Sequence, residues 1–277
     1  MTDTDAPPQA PIGGTTRLYV VVGDPVAQVQ SPGLLNPLFA EQGIDAVLVP
    51  VEVHPDDLER VIHGLQRIGN LDGIFVTVPH KEDAAQLADL HSRTVKIAGT
   101  ANVMRRESDG SWLAENFDGS GFVAGLARAG HEIRGRRVAL AGAGGAGSAI
   151  ASALLTAGAE RIAVTDPDQP KLDALVSRLA AYWPDRVHAV AELPLHDSDL
   201  AVNATPLGLR SSDPLPFPPE ALAPGAVVVD IIMKPHETPL LRQAASLGHH
   251  VHHGIHMLNG QVESYCKFFG LRAPKTG

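Results

Sequence analysis

The sequence has very little cysteine and no concentrated positive charge. Cys266 is the one cysteine among 277 residues, so the chain cannot form an internal disulfide or a thiolate metal site, and a reducing, cytoplasmic location is expected. Lysine and arginine total 22 against 31 aspartates and glutamates, which gives a net charge of −9. Binding to a nucleic-acid backbone needs clustered positive charge, so a nucleic-acid partner is not expected.

The sequence also lacks a convincing membrane segment. Residues 1–16 have neither the basic start nor the apolar core of a signal peptide, and they are expected to form a disordered tail. The long uncharged stretch at residues 138–159 carries four glycines between Gly142 and Gly147. Glycines break a helix, and alanine adds little transfer free energy. A buried strand, a glycine turn and a buried helix are predicted there instead, without a membrane partner.

From Arg17 onward the pattern predicts an α/β protein of two domains. Short β-branched runs alternate with helical stretches, which is typical of parallel sheets. The predicted domains are residues 17–117 with 255–277, and residues 118–254. The first series comprises strands Leu18–Val22, Ala46–Val51 and Gly73–Val78, helices Pro32–Gln42 and Pro55–Ile68, and a hairpin pairing residues 101–105 with 112–114. The second comprises a helix at 118–129, strands at 137–141, 161–165, 186–190, 199–203 and 226–231, and a last helix at 255–269.

A glycine-rich segment between a predicted strand and a predicted helix indicates a dinucleotide site. It reads Gly142-Ala143-Gly144-Gly145-Ala146-Gly147, a match to G-x-G-x-x-G in its proper context. In that motif the first glycine allows a tight turn, the second lets the backbone approach a pyrophosphate, and the third lets helix and strand pack closely. The N-terminus of the helix then offers N–H groups to the phosphates.

The following strand ends at Asp166, 19 residues after Gly147. An acidic residue there accepts hydrogen bonds from the adenosine ribose and repels a 2′-phosphate. Residues 167–170 supply no arginine for such a phosphate. NAD is therefore the expected cofactor, and NADP is disfavoured. The alternative is a glycine turn that serves packing only, with an ordinary aspartate at a strand end.

Two further residues are candidates for proton transfer. Lys81 lies just beyond the third predicted strand, and Asp118 lies at the start of a predicted helix. Taken alone, these residues are interpreted more simply as a solvent-exposed lysine and a helix N-cap.

These candidates belong to a longer series of short segments. In chain order the segments are Val22-Gly-Asp-Pro-Val-Ala, Ser31-Pro32, Val76-Thr77-Val78-Pro79 with Lys81, Gly99-Thr-Ala-Asn102, Asn116 with Asp118-Gly119, Gly142–Gly147, Asn203-Ala-Thr205-Pro-Leu-Gly208, Glu237-Thr-Pro-Leu-Leu241, and Met257-Leu258 with Gln261. Their order resembles the shikimate/quinate dehydrogenase family from about Leu18 to Gly270. The resemblance implies a substrate-binding α/β domain and a Rossmann dinucleotide-binding domain, with hydride transfer between a ring C–OH and a nicotinamide.

The resemblance implies a role for each matching residue. Lys81 corresponds to the acid/base that exchanges the hydroxyl proton, and Asp118 to the carboxylate that pairs with it and orients it. The implied partner is a small cyclic hydroxy-acid, and a homodimer is compatible with the pattern. The residues implied to bind substrate are Ser31, Thr77, Asn102, Asn116 and Gln261. Those implied to bind cofactor, besides the glycine segment and Asp166, are Asn203, Thr205, Pro206, Ile231 and Gly254.

Four positions depart from the family pattern, each replacing a polar residue with an apolar one. They are Val29, Phe75, Phe117 and Met233. We hypothesise that the chain binds a less polar or differently substituted cyclic hydroxy-acid than shikimate. The alternative is a shikimate enzyme with weak affinity, because losing one hydrogen bond to a charged group costs roughly 1.5–3 kcal/mol.

Two other hypotheses concern the histidines and catalysis itself. His249, His250, His252, His253 and His256 are close in sequence, but no neighbouring cysteine or placed carboxylate completes a metal site, so no metal is expected. A catalytically silent NAD-binding regulator is the alternative of another class, and it would not need a lysine–aspartate pair. A relative of glutamyl-tRNA reductase is excluded by the lack of a matching nucleophile motif.

Overall fold

The computed structural model describes residues 12–272, and its contacts divide the chain into two units. Within the described residues, the first unit contains residues 12–95, 100–116 and 263–272, and the second contains residues 96–99 and 117–262. Residues 1–11 of the predicted disordered tail lie outside the described residues.

The first unit is built on a mixed sheet of six strands. Its strands are β1 (Arg17–Gly23), β2 (Ala46–Glu52), β3 (Leu71–Val76), β4 (Leu90–His91), β5 (Val103–Arg106) and β6 (Trp112–Glu115). They are ordered β2-β1-β3-β5-β6-β4. Strands β1, β2 and β3 are parallel, and β5 is antiparallel to both β3 and β6. The helices are α1 (Ser31–Gln42), α2 (Leu58–Leu65), α3 (Lys81–Gln86) and α4 (Arg93–Ala98), of which α4 has residues in both units.

Alternation along β1 and β3 produces two buried layers in the first unit. Val20, Val22, Ile74 and Val76 belong to one aliphatic cluster. Because successive strand residues point to opposite faces, Tyr19 and Phe75 lie on the other face. Tyr19 stacks on Phe39 with ring centroids 5.3 Å apart and meets the edge of Phe269 at 5.0 Å.

The second unit is a parallel sheet of six strands. Its elements are α5 (Asp118–Arg128), β7 (Arg137–Ala141), α6 (Gly145–Thr156), β8 (Arg161–Thr165), α7 (Gln169–Ala180), β9 (Val187–Ala189), β10 (Leu200–Asn203), β11 (Val227–Asp230), α8 (Pro239–Ser246) and β12 (His250–His253). The strand order β12-β11-β10-β7-β8-β9 is that of the doubly wound Rossmann fold. The last helix, α9 (Ile255–Phe269), has residues in both units.

The predicted α/β class, the hairpin and the alternating second series are confirmed. Strand β3 begins and ends two residues before its predicted bounds, and residues 55–57 form a 3₁₀ turn ahead of α2. Strand β12 was not predicted, because its sequence His-Val-His-His has a single aliphatic residue, although His252 is buried. None of the helices between residues 12 and 272 has an apolar stretch long enough to cross a bilayer.

Burial gives Tyr19 a measurable pH dependence. Desolvation raises the pKa of its phenol from 10.0 to about 12. Between these values the unfolded chain loses a proton that the folded chain retains, so folding stability falls as pH rises. The loss amounts to as much as about 3 kcal/mol. In urea unfolding experiments below and above pH 10, Tyr19→Phe should flatten this decline. An equally steep decline in the variant would contradict this assignment.

Candidate active site

One edge of the first sheet collects most of the residues implied to bind substrate. Thr77 follows β3, Asn102 precedes the antiparallel β5, and Asn116 follows β6. The backbone N–H of Val76 donates to the carbonyl of Asn102 at 2.8 Å, so these segments are adjacent. Ser31 begins α1, which follows β1 in the chain. Parallel β1 and β3 end at this edge, as does β6, and β5 begins there.

Lys81 is buried at the same edge, with only 8% of its surface exposed. The interpretation of Lys81 as a solvent-exposed residue is therefore wrong. Its carbonyl accepts a hydrogen bond from the N–H of Ala101 at 2.8 Å. The preceding residue, His80, is fully buried and donates through Nε2 to the carbonyl of Val53 at 2.7 Å. The start of α3 is thus tied to two neighbouring segments, through the Lys81 carbonyl and through the His80 side chain.

Two buried amides are held in defined orientations beside this lysine segment. Asn102 Nδ2 donates to the Tyr265 hydroxyl at 3.1 Å, and Asn116 Nδ2 donates to Thr100 Oγ1 at 2.9 Å. The ring of Phe75 meets the edge of the Tyr265 ring with centroids 5.0 Å apart. A residue that departs from the family pattern therefore packs on the tyrosine that orients Asn102.

Asp118 and Gln261 are brought together in the second unit, although 143 positions separate them in sequence. Gln261 Nε2 donates to Asp118 Oδ1 at 3.2 Å, and both residues are buried. Helices α5 and α9 approach closely here, since a Cβ at Gly260 would lie 2.3 Å from the carbonyl oxygen of Gly121. The pairing of Asp118 with Lys81 joins residues of different units, and it stays a prediction.

The glycine segment adopts the geometry that its sequence predicts. Gly142 has φ +104°, and a Cβ at Gly147 would lie 2.1 Å from the Gly142 carbonyl oxygen. Helix α6 begins at Gly145, directly over the end of β7. By contrast, a Cβ at Gly144 would meet nothing within 4 Å. The motif thus leaves open space beside Gly144 and the α6 N-terminus, which fits a dinucleotide pyrophosphate.

The carboxylate of Asp166 is engaged by the backbone of neighbouring loops. Its Oδ2 accepts from the N–H of Ala143 at 2.7 Å, and its Oδ1 accepts from the N–H of Asp168 at 2.9 Å. Asp166 therefore holds the glycine loop and the start of the loop before α7. The sequence predicts that this carboxylate binds the ribose, and its bonds to the two backbone N–H groups depend on the tertiary structure.

A buried polar network lies at the ends of β10 and β11. Asn203 Nδ2 donates to Asp230 Oδ1 at 3.1 Å, and the Thr238 hydroxyl donates to Asp230 Oδ2 at 2.8 Å. Desolvation raises the pKa of Asp230 despite these bonds and one from the N–H of Ile232. Asp230 and Thr238 were not among the predicted site residues. A carboxylate ending an aliphatic strand is the sequence feature that could have identified the former.

The remaining residues implied to bind cofactor follow the same sheet edge. Thr205 donates through its hydroxyl to Asn203 Oδ1 at 2.7 Å, and the Pro206 carbonyl accepts from Leu209 in the next turn. A Cβ at Gly254 would lie 2.4 Å from the Ile231 carbonyl oxygen, so these two backbones nearly touch. With the glycine segment and Asp166, these residues lie at the carboxyl ends of the parallel strands. Doubly wound sheets bind their ligands at that edge.

Comparison with known proteins identifies the relatives of this chain. A family model for the shikimate dehydrogenase substrate-binding domain matches residues 21–104. An NADP(+) shikimate dehydrogenase from Rubrobacter xylanophilus is 40% identical over 238 residues, covering 84% of this chain and 83% of the relative. The chain belongs to the shikimate dehydrogenase family.

Solved structures agree with this assignment. A shikimate 5-dehydrogenase from Thermus thermophilus, in complex with NADP(H) and shikimate, is 28% identical with a TM-score of 0.82, covering 94% of this chain and 95% of that one. The ligand-free 5-ketofructose reductase of a Gluconobacter species is 26% identical with a TM-score of 0.81, covering 95% and 96%. As a member of the shikimate dehydrogenase family, the chain is an NAD(P)-dependent oxidoreductase acting on CH–OH groups.

The relatives correct the expected cofactor. The family member from Rubrobacter is named for NADP(+), as is an NADP(+) shikimate dehydrogenase from Rhodospirillum rubrum, and the Thermus structure holds NADP(H). The prediction of NAD in preference to NADP is therefore wrong. It rested on the charge of Asp166 and on the lack of an arginine at residues 167–170, whereas the structure shows this carboxylate bonded to the N–H groups of Ala143 and Asp168.

Gly147 and Gly144 of the motif should respond differently to an added methyl group. Gly147→Ala forces a contact with the Gly142 carbonyl, and overpacking of this kind costs about 1–3 kcal/mol. Its melting temperature should fall by several degrees. Gly144→Ala has room in the protein but occupies the predicted pyrophosphate space, so its melting temperature should hold while NADP binding weakens at least about tenfold.

Thermal unfolding and calorimetric titration with NADP measure the two effects separately. Unchanged NADP affinity in Gly144→Ala would place the phosphates elsewhere.

Proposed function

We propose that the protein catalyses the NADP-linked interconversion of shikimate and 3-dehydroshikimate. The observation that best supports this proposal is that Lys81 is buried beside Thr77 and Asn102 at one edge of the first sheet. A lysine is rarely buried unless polar partners or chemistry require it. Family membership supports the same substrate, since the relatives are named shikimate dehydrogenases.

We assign the two halves of this reaction to the two units. The first unit would bind the ring acid, because it contains Ser31, Thr77, Lys81, Asn102 and Asn116 and most of the substrate-domain match. The second would bind the dinucleotide along the carboxyl edge of its parallel sheet. Lys171 is the first basic residue after Asp166, and it is the candidate partner for the 2′-phosphate that distinguishes NADP.

Oxidation of a ring alcohol removes a hydride from carbon and a proton from oxygen. The bound nicotinamide supplies the hydride acceptor, and the donor in the reverse direction. Lys81, as the amine, would take the hydroxyl proton as the C=O bond forms, and its ammonium would return that proton on reduction. The ties at Ala101 and Val53 hold the start of α3 in place for this transfer.

Asp118 and Gln261 would act through position and charge. A carboxylate near Lys81 favours the charged lysine, so Asp118 would aid orientation and proton donation more than it would aid proton removal. Gln261 fixes Asp118 Oδ1 through a 3.2 Å hydrogen bond. A carboxylate held in this way loses little rotational freedom when the substrate arrives.

Replacing Lys81 with methionine tests the proposal. Lys81→Met keeps the aliphatic stem and removes the ammonium, so kcat for shikimate oxidation with NADP should fall about 10²–10⁴-fold. NADP affinity and melting temperature should change little. Initial rates of NADPH formation, with calorimetric NADP binding, measure both effects.

Lys96→Ala serves as the matched control, because Lys96 is an exposed helical lysine. It should retain the wild-type rate. A wild-type chain that does not oxidise shikimate with NADP would overturn the proposed substrate or cofactor. Retention of kcat in Lys81→Met would remove the assigned proton carrier.

A less polar ring acid is the second candidate substrate, and the environment of Phe75 favours it. Phe75 is 3% exposed and packs against both Tyr265 and Phe269. Tyr265 in turn accepts the hydrogen bond from Asn102, so the apolar ring of Phe75 contacts the direct partner of Asn102. The fold is shared by a 5-ketofructose reductase, so the architecture is not restricted to proteins named for shikimate. Rates with shikimate, quinate and a less hydroxylated ring acid distinguish the candidates.

Val29→Ser provides a specific test of substrate binding near Ser31. Val29 is two residues before Ser31 and is partly exposed. The family that the chain resembles has a second serine at this position, and the resemblance implies that the two hydroxyls bind the substrate carboxylate. A restored hydrogen bond to a charged carboxylate contributes roughly 1.5–3 kcal/mol. The KM for shikimate should therefore fall about tenfold or more, with little change in kcat. Val29→Ala, which adds no hydroxyl, should not lower KM, and an equal effect in both variants would refute the missing-hydroxyl explanation.

A further inference from the structure

Three side chains of types that can bind metal ions lie close together in the second unit. None of them has a role in the proposed reaction. His236 and Glu237 lie between β11 and α8, and His253 is the last residue of β12. One ligand atom from each lies within 4.8 Å of the others. His253 Nε2 is 2.5 Å from Glu237 Oε1, and His236 Nδ1 is 3.7 Å from the same oxygen.

We propose that His236, Glu237 and His253 form a binding site for a divalent transition-metal ion, with zinc as the reference ion. Two imidazole nitrogens and one carboxylate oxygen are ligands that Zn²⁺ prefers, and a fourth position open to water is common in such sites. With bonds of about 2.0–2.2 Å in a tetrahedron, ligand atoms lie roughly 3.3 Å apart. The separations of 2.5 and 3.7 Å from Glu237 Oε1 bracket that value, so rotation of the side chains would complete the site.

The two imidazoles lie close enough to share one ion. The rings of His236 and His253 stack with centroids 4.4 Å apart and an interplanar angle of 16°. A ring nitrogen binds a metal in the plane of its ring, so one of the two rings would rotate out of the stack to bind the same ion as the other. Glu237 adds the negative charge that a cation needs, and the side chains of His236 and Glu237 are 62% and 48% exposed, so an ion can reach them.

An ion at this site would connect two segments that are distant in sequence. The loop carrying His236 and Glu237 leaves β11 through Ile231, and His253 directly precedes Gly254. Ile231 and Gly254 already approach through their backbones. Because the metal would bind the folded arrangement and not the unfolded chain, it should raise the melting temperature.

The test is calorimetric titration of the full, tag-free chain with ZnCl₂, together with melting curves in zinc and in EDTA. The wild type should bind one Zn²⁺ at this site and melt higher in zinc. Glu237→Gln should weaken that binding at least about tenfold, and the double variant His236→Asn/His253→Asn should abolish it. In EDTA all variants should melt close to the wild type.

His250→Asn is the matched control, since His250 is an exposed histidine of the same strand that does not belong to the cluster. It should bind zinc like the wild type. Co²⁺ should show the intense visible absorption of tetrahedral coordination in the wild type and in His250→Asn, but not in the double variant. Absence of zinc binding in the wild type, or equal binding in the double variant, would overturn the site.

Discussion

The contact between Gly147 and the carbonyl of Gly142 constrains much of the second unit. Because glycine has no Cβ, the first turn of α6 can lie directly over the end of β7. Any other residue at position 147 would place a Cβ against the Gly142 carbonyl oxygen. The bond from the Ala143 N–H to Asp166 ties the intervening loop to the end of β8. The protein's own contacts therefore set the conformation of the glycine loop, and a dinucleotide would meet a preformed site.

A second constraint is the buried carboxylate of Asp230. Its burial disfavours the charged form, and bonds from Asn203, Thr238 and the backbone of Ile232 partly compensate. These bonds join the loops after β10 and β11, which lead to Thr205 and Ile231. The polar network thus sets loop positions where aliphatic packing cannot, because hydrogen bonds are directional and hydrophobic contacts are not.

In the first unit, the aromatic cluster also orients a candidate substrate-binding residue. Tyr265 receives the hydrogen bond of Asn102 on its hydroxyl and the ring of Phe75 on its edge. A change at Phe75 would therefore alter both the aromatic cluster and the support of Asn102, whose role in substrate binding stays a prediction. Strand β3 is a core strand that ends just before Thr77, so a change in its packing would also move a residue that we propose to bind substrate.

Local patterns in the sequence determined the α/β class, the glycine turn before α6 and the identity of the family. Strand propensity, helical spacing and a glycine's positive φ depend on a few neighbouring residues, so they can be recognised in the sequence. Only the tertiary structure decided that Lys81 is buried, that Asp166 binds backbone N–H groups, that β12 is a strand despite its histidines, and that Glu237 meets His253. Each of these depends on which distant segment packs alongside, and the partner of a polar side chain is set by that packing and not by its neighbours in the chain.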